Sequence, residues 1–172
     1  MQNSSIIIRY ANPSDAGAIA DTAIEVWMDT YQTDTEALKK YVRTTFTAEN
    51  FLKIIKTRQE ILLAAEDAGK MIGFALLSTM EKPGDLKLPD PVEISKFYIL
   101  KKYHGTGTAS LMMDFCITEA RHKGYKTLWL SVYEENHRAI RYYEKTGFRQ
   151  AGEYPFEIDG EIYMNKLMLL SI

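Results

Sequence analysis

His104-Gly105-Thr106-Gly107-Thr108-Ala109 decides the reading of this chain. Before it, Val92, Ile94 and Tyr98 point one way and Glu93, Ser95, Phe97 and Ile99 the other, the two-residue alternation of a strand over 92–100. After it, Leu111, Met112, Phe115, Cys116 and Ala120 recur at helical spacing and Gly124 closes the run, which predicts a helix over 105–123. Two glycines let the backbone adopt positive φ and come close to a ligand. The first amides of a helix lack intrahelical partners and carry partial positive charge, so a strand, a glycine turn and a helix make an anion site suited to a pyrophosphate. The same residues also serve as a tight turn with no ligand. A dinucleotide-binding turn wants a third glycine where Ser110 stands, and a Walker turn wants Gly-Lys-Ser/Thr, which is absent.

Outward from this turn, the pattern alternates between strands and helices. Ile6-Ile7-Ile8 marks a strand over 4–10, and Asn12-Pro13-Ser14-Asp15 is a helix start with a capping Asn and an early proline. Ala16, Ile19, Ala20, Ala23, Trp27 and Tyr31 line one helical face. Two short helices are expected over 34–44 and 47–56, capped by Asp34 and Thr47. Strands over 60–66 and 70–80 turn at Asp67-Ala68-Gly69, and 81–91, with three prolines, reads as an exposed loop. Residues 127–132 are apolar on both faces, as in a central strand. A helix over 136–146 stops at Gly147, and strands over 148–156 and 161–170 form a hairpin turning at Asp159-Gly160. Hairpins mixed with crossovers define an α/β (α+β) chain with a mixed sheet of about seven strands and helices on both faces.

Composition narrows the function classes. The chain has 172 residues, 46% apolar and 26% charged, the balance of one globular domain rather than a disordered tail. Its apolar runs fall far short of the ~20 residues that span a bilayer, so no membrane partner is expected. Lys+Arg number 21 against 23 Asp+Glu, net −2, which argues against a nucleic-acid partner. With one cysteine, Cys116, there is no disulfide, and no secretory pattern opens the chain, so a cytoplasmic location is the expectation. His104, His122 and His137 show no metal-ligand spacing, and no metal is expected.

A second constellation is Asn136-x-x-Ala139-x-x-x-Tyr143-x-x-x-Gly147-Phe148. Asn136 is a natural N-cap, and Ala139, Tyr143 and Gly147 share one helical face on which two small residues flank a tyrosine. A core tyrosine and a helix cap would look the same. Together with the glycine turn, and in the same order, this spacing resembles the GCN5-related N-acetyltransferase (GNAT) superfamily over most of residues 61–170. That family carries Gln/Arg-x-x-Gly-x-Gly/Ala between its fourth strand and the next helix. His104, Gly107 and Ala109 stand at the defining positions here, with His104 departing from Gln/Arg.

The resemblance implies a GNAT fold with a mixed, mostly antiparallel sheet, and a single N-acetyltransferase domain over 1–172. It implies acetyl-CoA as co-substrate, its pyrophosphate met by the amides of residues 104–109 (His104, Gly105, Thr106, Gly107, Thr108, Ala109). Its pantetheine arm would pair with Phe97, Tyr98 and Ile99, and Asn136, Tyr143 and Lys145 would complete the cofactor side. Lys101, Lys102, Lys145 and Arg149 are candidates for the 3′-phosphate, or simply solvated charges. Tyr143 is implied as general acid for the departing thiolate. Glu93, through a water chain, is the candidate base, since Ser95 stands where some relatives carry a glutamate. Strand amides near Phe97 or Tyr98 would meet the oxyanion.

Further upstream, Glu25-Val26-Trp27-Met28-Asp29-Thr30-Tyr31, Leu38-Lys39-Lys40-Tyr41 and Thr47-Ala48-Glu49-Asn50-Phe51 are similar to the PaiA-like branch, which acetylates polyamines such as spermidine and spermine. That resemblance implies a small amine substrate, with Glu25, Trp27, Asp29 and Tyr31 at the acceptor. Asp34, Glu36, Asp85 and Asp90 are further acids able to border a cationic substrate. Two readings compete: a protein N-terminal or lysine acetyltransferase, and a non-catalytic acetyl-CoA sensor, against which the retained Tyr143 argues. A homodimer accords with family habit.

Overall fold

A computed structural model describes residues 6–31 and 35–172. Residues 4 and 5 of the expected first strand and the expected cap Asp34 lie outside the described residues. The elements in chain order are β1 (Ile6–Tyr10), a 3-10 turn (Pro13–Asp15), α1 (Ala16–Thr30), α2 (Glu36–Thr45), α3 (Ala48–Thr57), β2 (Ile61–Asp67), β3 (Lys70–Ser78) and β4 (Pro91–Ile99). A second 3-10 turn (Lys101–Tyr103), α4 (Thr108–His122), β5 (Thr127–Tyr133), α5 (His137–Lys145), β6 (Arg149–Ile158) and β7 (Glu161–Ser171) follow. The seven strands form one sheet in the order β1-β2-β3-β4-β5-β7-β6. β1–β2, β2–β3, β5–β7 and β6–β7 pair antiparallel, and β4–β5 is parallel, so the sheet is mixed and mostly antiparallel, as expected.

Local chemistry explains the boundaries. Asn12 caps the 3-10 turn by accepting from Ser14 N–H, and Asp15 Oδ2 in turn accepts from the Asn12 backbone N–H, a capping box with proline inside it. Thr35 caps α2, accepting from Leu38 N–H, because its extended backbone aims the hydroxyl at the helix start. Thr47 caps α3 as read. Both hairpin turns have two residues at positive φ, Ala68 and Gly69 at 50° and 76°, Asp159 and Gly160 at 52° and 86°, the twist that suits antiparallel strands. Several boundaries shift by a residue or two, and the largest difference from the sequence reading is at α4, which begins at Thr108 rather than at 105, because Gly105 and Gly107 sit at φ 78° and 89° and cannot be helical.

The chain divides into two compact units. One runs through Leu77 and adds Lys96–Cys116; the other holds Ser78–Ser95 and Ile117–Ile172. In the first, Ile19, Ala23, Trp27, Phe51, Leu63, Phe74 and Met112 are buried. In the second, Leu128, Trp129, Leu130, Phe148, Leu167 and Met168 are buried. The first unit also holds Arg9, whose guanidinium meets both oxygens of Asp15 at 2.7 and 2.8 Å and also Glu66, joining β1, β2 and the start of α1.

Candidate active site

In the first unit, the glycine turn is built from its own backbone. His104 N–H donates to Lys101 O and Thr106 Oγ1 donates to Tyr103 O at 2.8 Å. Thr106 and Thr108 hydroxyls lie 2.8 Å apart, and since the Thr106 proton is already directed at Tyr103, Thr108 is the donor between them. Both hydroxyl protons therefore serve the turn, and a ligand would meet main-chain amides instead. The helical ladder of α4 takes its first bond from Leu111 N–H to Gly107 O at 3.1 Å, so Thr108 and Ser110 stand in the N-terminal turn ahead of that ladder. A Cβ built on Gly105 or Gly107 meets nothing within 4 Å. Open space beside positive-φ glycines at a helix start fits a diphosphate.

His104 is exposed but tied down: its Nε2 lies 3.0 Å from Ile99 O, and because a carbonyl only accepts, Nε2 carries the proton. The ring thus links the turn to the end of β4. Lys101 and Lys102 are exposed beside it.

Gly73, which the sequence reading passed over, holds β4 from the other side. A Cβ there would lie 2.6 Å from Tyr98 O and 2.6 Å from Ile99 Cδ1. Leu100 N–H donates to Ile72 O at 2.9 Å in the same place. Only a residue without a side chain lets β3 lie this close to the Tyr98–Ile99 backbone. A glycine inside an otherwise apolar strand was the available signal.

The expected acceptor residues on α1 and at its C-cap, Tyr31, separate into two kinds. Trp27 is 5% exposed and stacks on Tyr31 at 4.2 Å, with Tyr41 at 5.0 Å and Phe46 at 5.5 Å. Phe46 and Phe74 extend this aromatic group to Tyr98. Burial raises the Tyr41 phenol above its ordinary value. Trp27 Nε1 is buried without a hydrogen-bond partner. Glu25 and Asp29 are exposed on the same helix. Of the other acids, Glu36 pairs with Lys39 and Asp90 with Lys126, while Asp85 is exposed.

In the second unit, Glu93 is 8% exposed on β4 and sits opposite Trp129 of β5. Tyr143 is 8% exposed on α5, its ring edge-on to Phe148 at 5.7 Å. Asn136 caps α5, accepting from Ala139 N–H at 3.2 Å, as the spacing predicted, and Gly147 ends the segment at φ 102°. Lys145 and Arg149 are exposed. The face that carries Glu93 and Trp129 continues over Ser131, Tyr133, Asn165 and Tyr154 by strand register. Burial first, then the negative charges of Glu81 and Glu93, raises the Tyr154 phenol above its ordinary value. The sequence reading missed Ser131, Asn165 and Tyr154, which share this face only through the register of β5, β7 and β6.

Among the described residues, no group of three or more His, Cys, Asp and Glu side chains is gathered to hold a metal. No described helix is long and apolar enough to cross a membrane. Cys116 is fully buried in α4, and burial pushes its thiol up to about 12, so it stays protonated.

Residues 22–148 match the acetyltransferase (GNAT) family. An uncharacterized N-acetyltransferase of Mycobacterium tuberculosis is 32% identical over 123 residues, 72% of this chain and 74% of that protein. The spermine/spermidine N(1)-acetyltransferase of Bacillus subtilis is 31% identical over 99 residues, 57% of this chain and 64% of that protein. In fold, the chain is similar to the PaiA N-acetyltransferase of Thermoplasma acidophilum in complex with coenzyme A, with TM-score 0.79 and 21% identity over 98% of this chain and 99% of that one. The chain belongs to the GNAT acetyltransferase family. It is an acetyl-CoA-dependent N-acetyltransferase that acts on an amine.

Proposed function

We propose that the chain acetylates a polyamine of the spermidine and spermine class by direct attack of the amine, acting as one catalytic domain. The observation that carries the substrate reading is the likeness to the spermine/spermidine enzyme of B. subtilis. The anionic surroundings of Tyr154 support it, since a cationic acceptor is favoured beside Glu81 and Glu93.

Acetyl-CoA supplies the activated acetyl thioester. The amides of the turn, with Gly105, Gly107 and Thr108 at its centre, take the pyrophosphate, and His104 fixes the turn against β4. Phe97, Tyr98 and Ile99 hold the pantetheine arm, and Thr106, Ala109, Asn136 and Lys145 border the cofactor. An ordinary primary amine is protonated near pH 7 and must lose a proton before it attacks. Glu93 receives that proton through water. As the C–N bond forms and the C–S bond breaks, a main-chain amide at Phe97 or Tyr98 donates to the developing oxyanion. Tyr143 gives its phenolic proton to the thiolate. Glu25, Asp29, Trp27 and Tyr31 belong to the acceptor side. We place the chain in the cytoplasm and expect a homodimer, which light scattering would check.

Thiol release from acetyl-CoA, measured against spermidine, spermine, simple monoamines and peptides, tests the substrate. Preference for polyamines supports the proposal, and preference for a peptide N-terminus or lysine replaces it with the protein-acetyltransferase reading.

A further inference from the structure

Asn165 lies in the middle of β7, between Tyr133 of β5 and Tyr154 of β6 in register. It is 6% exposed. Its Nδ2 donates to Ser131 Oγ at 3.3 Å, while Oδ1 is buried with no hydrogen-bond partner. A buried carbonyl oxygen without a donor is costly, and native structures seldom keep one without use. What Oδ1 lacks is an N–H or O–H, because a carbonyl oxygen only accepts. The side chains around it define which donor suits. Tyr133, Tyr154 and Tyr163 are half-buried aromatic rings on the same face, and aromatic faces attract cations. Glu93 lies on that face too, and the charges of Glu93 and Glu81 reach Tyr154. An acceptor oxygen, aromatic rings and carboxylates together are the chemistry of an ammonium site.

We infer that Asn165 Oδ1 receives an N–H of a second, non-reacting ammonium group of the acceptor, so that this face selects diamines and polyamines over monoamines. The inference rests on the polyamine reading above and adds to it the residue that measures the distance to a second nitrogen. The reacting nitrogen is uncharged when it attacks, whereas the second nitrogen stays cationic throughout. One face therefore serves a base and a cation site at separate points.

The test compares wild type, Asn165→Leu and Asn165→Asp on spermidine, 1,3-diaminopropane and propylamine, with thermal melting of each protein. In Asn165→Leu, the ratio of kcat/KM for diaminopropane to that for propylamine falls about tenfold, the scale of one hydrogen bond to a charged group. The melting midpoint does not fall, because an unpaired buried oxygen has been removed. Asn165→Asp, which keeps the accepting oxygen and adds charge, holds or raises the ratio. An unchanged ratio in folded Asn165→Leu overturns the inference, as does equal loss on diamine and monoamine. If Asn165→Leu does not fold, a lost diamine preference in Asn165→Asp overturns it. A wild-type enzyme that releases thiol with propylamine or a peptide but not with spermidine or diaminopropane sinks the polyamine reading itself. A wild type that takes the polyamines while Asn165→Leu loses no preference sinks the role of Asn165 alone.

Discussion

At the residue scale, among the described residues, Tyr143 and Cys116 are buried groups with acid protons that invite a chemical role, and they lead to opposite expectations. If Tyr143 protonates the thiolate, Tyr143→Phe removes the proton and keeps the ring that packs on Phe148. Turnover should then fall by about 100-fold, the usual contribution of a positioned acid, while the KM for acetyl-CoA stays within a few-fold. Steady-state kinetics decide it, and unchanged turnover would remove Tyr143 from the chemistry. Cys116 is the one cysteine in the chain, and its thiol is buried and pushed up to about 12. Such a thiol makes a poor nucleophile, so no acetyl-cysteine is expected to form. Iodoacetamide should leave the native protein unlabelled near neutral pH and label the denatured chain once. Cys116→Ala should keep turnover within about twofold while losing about 1–2 kcal/mol of stability to the small cavity.

At the element scale, two close contacts set where strands lie. β3 approaches the end of β4 at Gly73, where a methyl group would be driven into Tyr98 O, a backbone atom that cannot rotate away. Gly73→Ala should cost about 1–3 kcal/mol from overpacking. Because Phe97–Ile99 would have to move, the same variant should bind acetyl-CoA more weakly, read by calorimetric titration beside a urea midpoint. Loss of stability with unchanged affinity would separate Gly73 from acetyl-CoA binding. The second contact is Arg9 with Asp15 and Glu66. The Arg9 hydrogen bonds hold the Asp15 carboxyl below the usual carboxylate range, against the opposing effect of burial. A carboxyl depressed in the folded state stabilises it fully above its unfolded value, about 3.9, and that contribution is lost as pH falls through the lower folded value. The urea midpoint of wild type should therefore drop through that acid window. Asp15→Asn should start about 1–2 kcal/mol lower at neutral pH, having lost the ion pair and the acid partner of the capping box, and should fall less steeply with acid.

On the scale of the whole molecule, what the sequence revealed is what short stretches determine. Ala68-Gly69 and Asp159-Gly160 name their turns because positive φ is a local demand, and Asn12, Thr47 and Asn136 name their helix starts because a cap bonds two or three residues ahead. The glycine turn and the tyrosine helix were legible for the same reason. The insertion of β7 between β5 and β6 was not, since either strand of that hairpin has the alternation to pair with β5, and distant side chains decide. Gly73 and Asn165 were missed on the same ground: one matters through a strand elsewhere in the sequence, the other through neighbours on two strands. Ligand linkage joins these local features into a last expectation. A co-substrate that binds only the folded chain stabilises it by about 2.7 kcal/mol at a hundred times its Kd. Saturating acetyl-CoA should raise the melting midpoint accordingly and slow amide exchange at Phe97–Ile99 and through residues 104–110. Gly107→Ala places a side chain on a backbone at φ 89°, at a strain of about 1–2 kcal/mol, and fills open space beside the turn. It should melt somewhat lower without ligand and lose most of the rise with it. A full rise in Gly107→Ala, with protection appearing elsewhere in the chain, would move the pyrophosphate away from this turn.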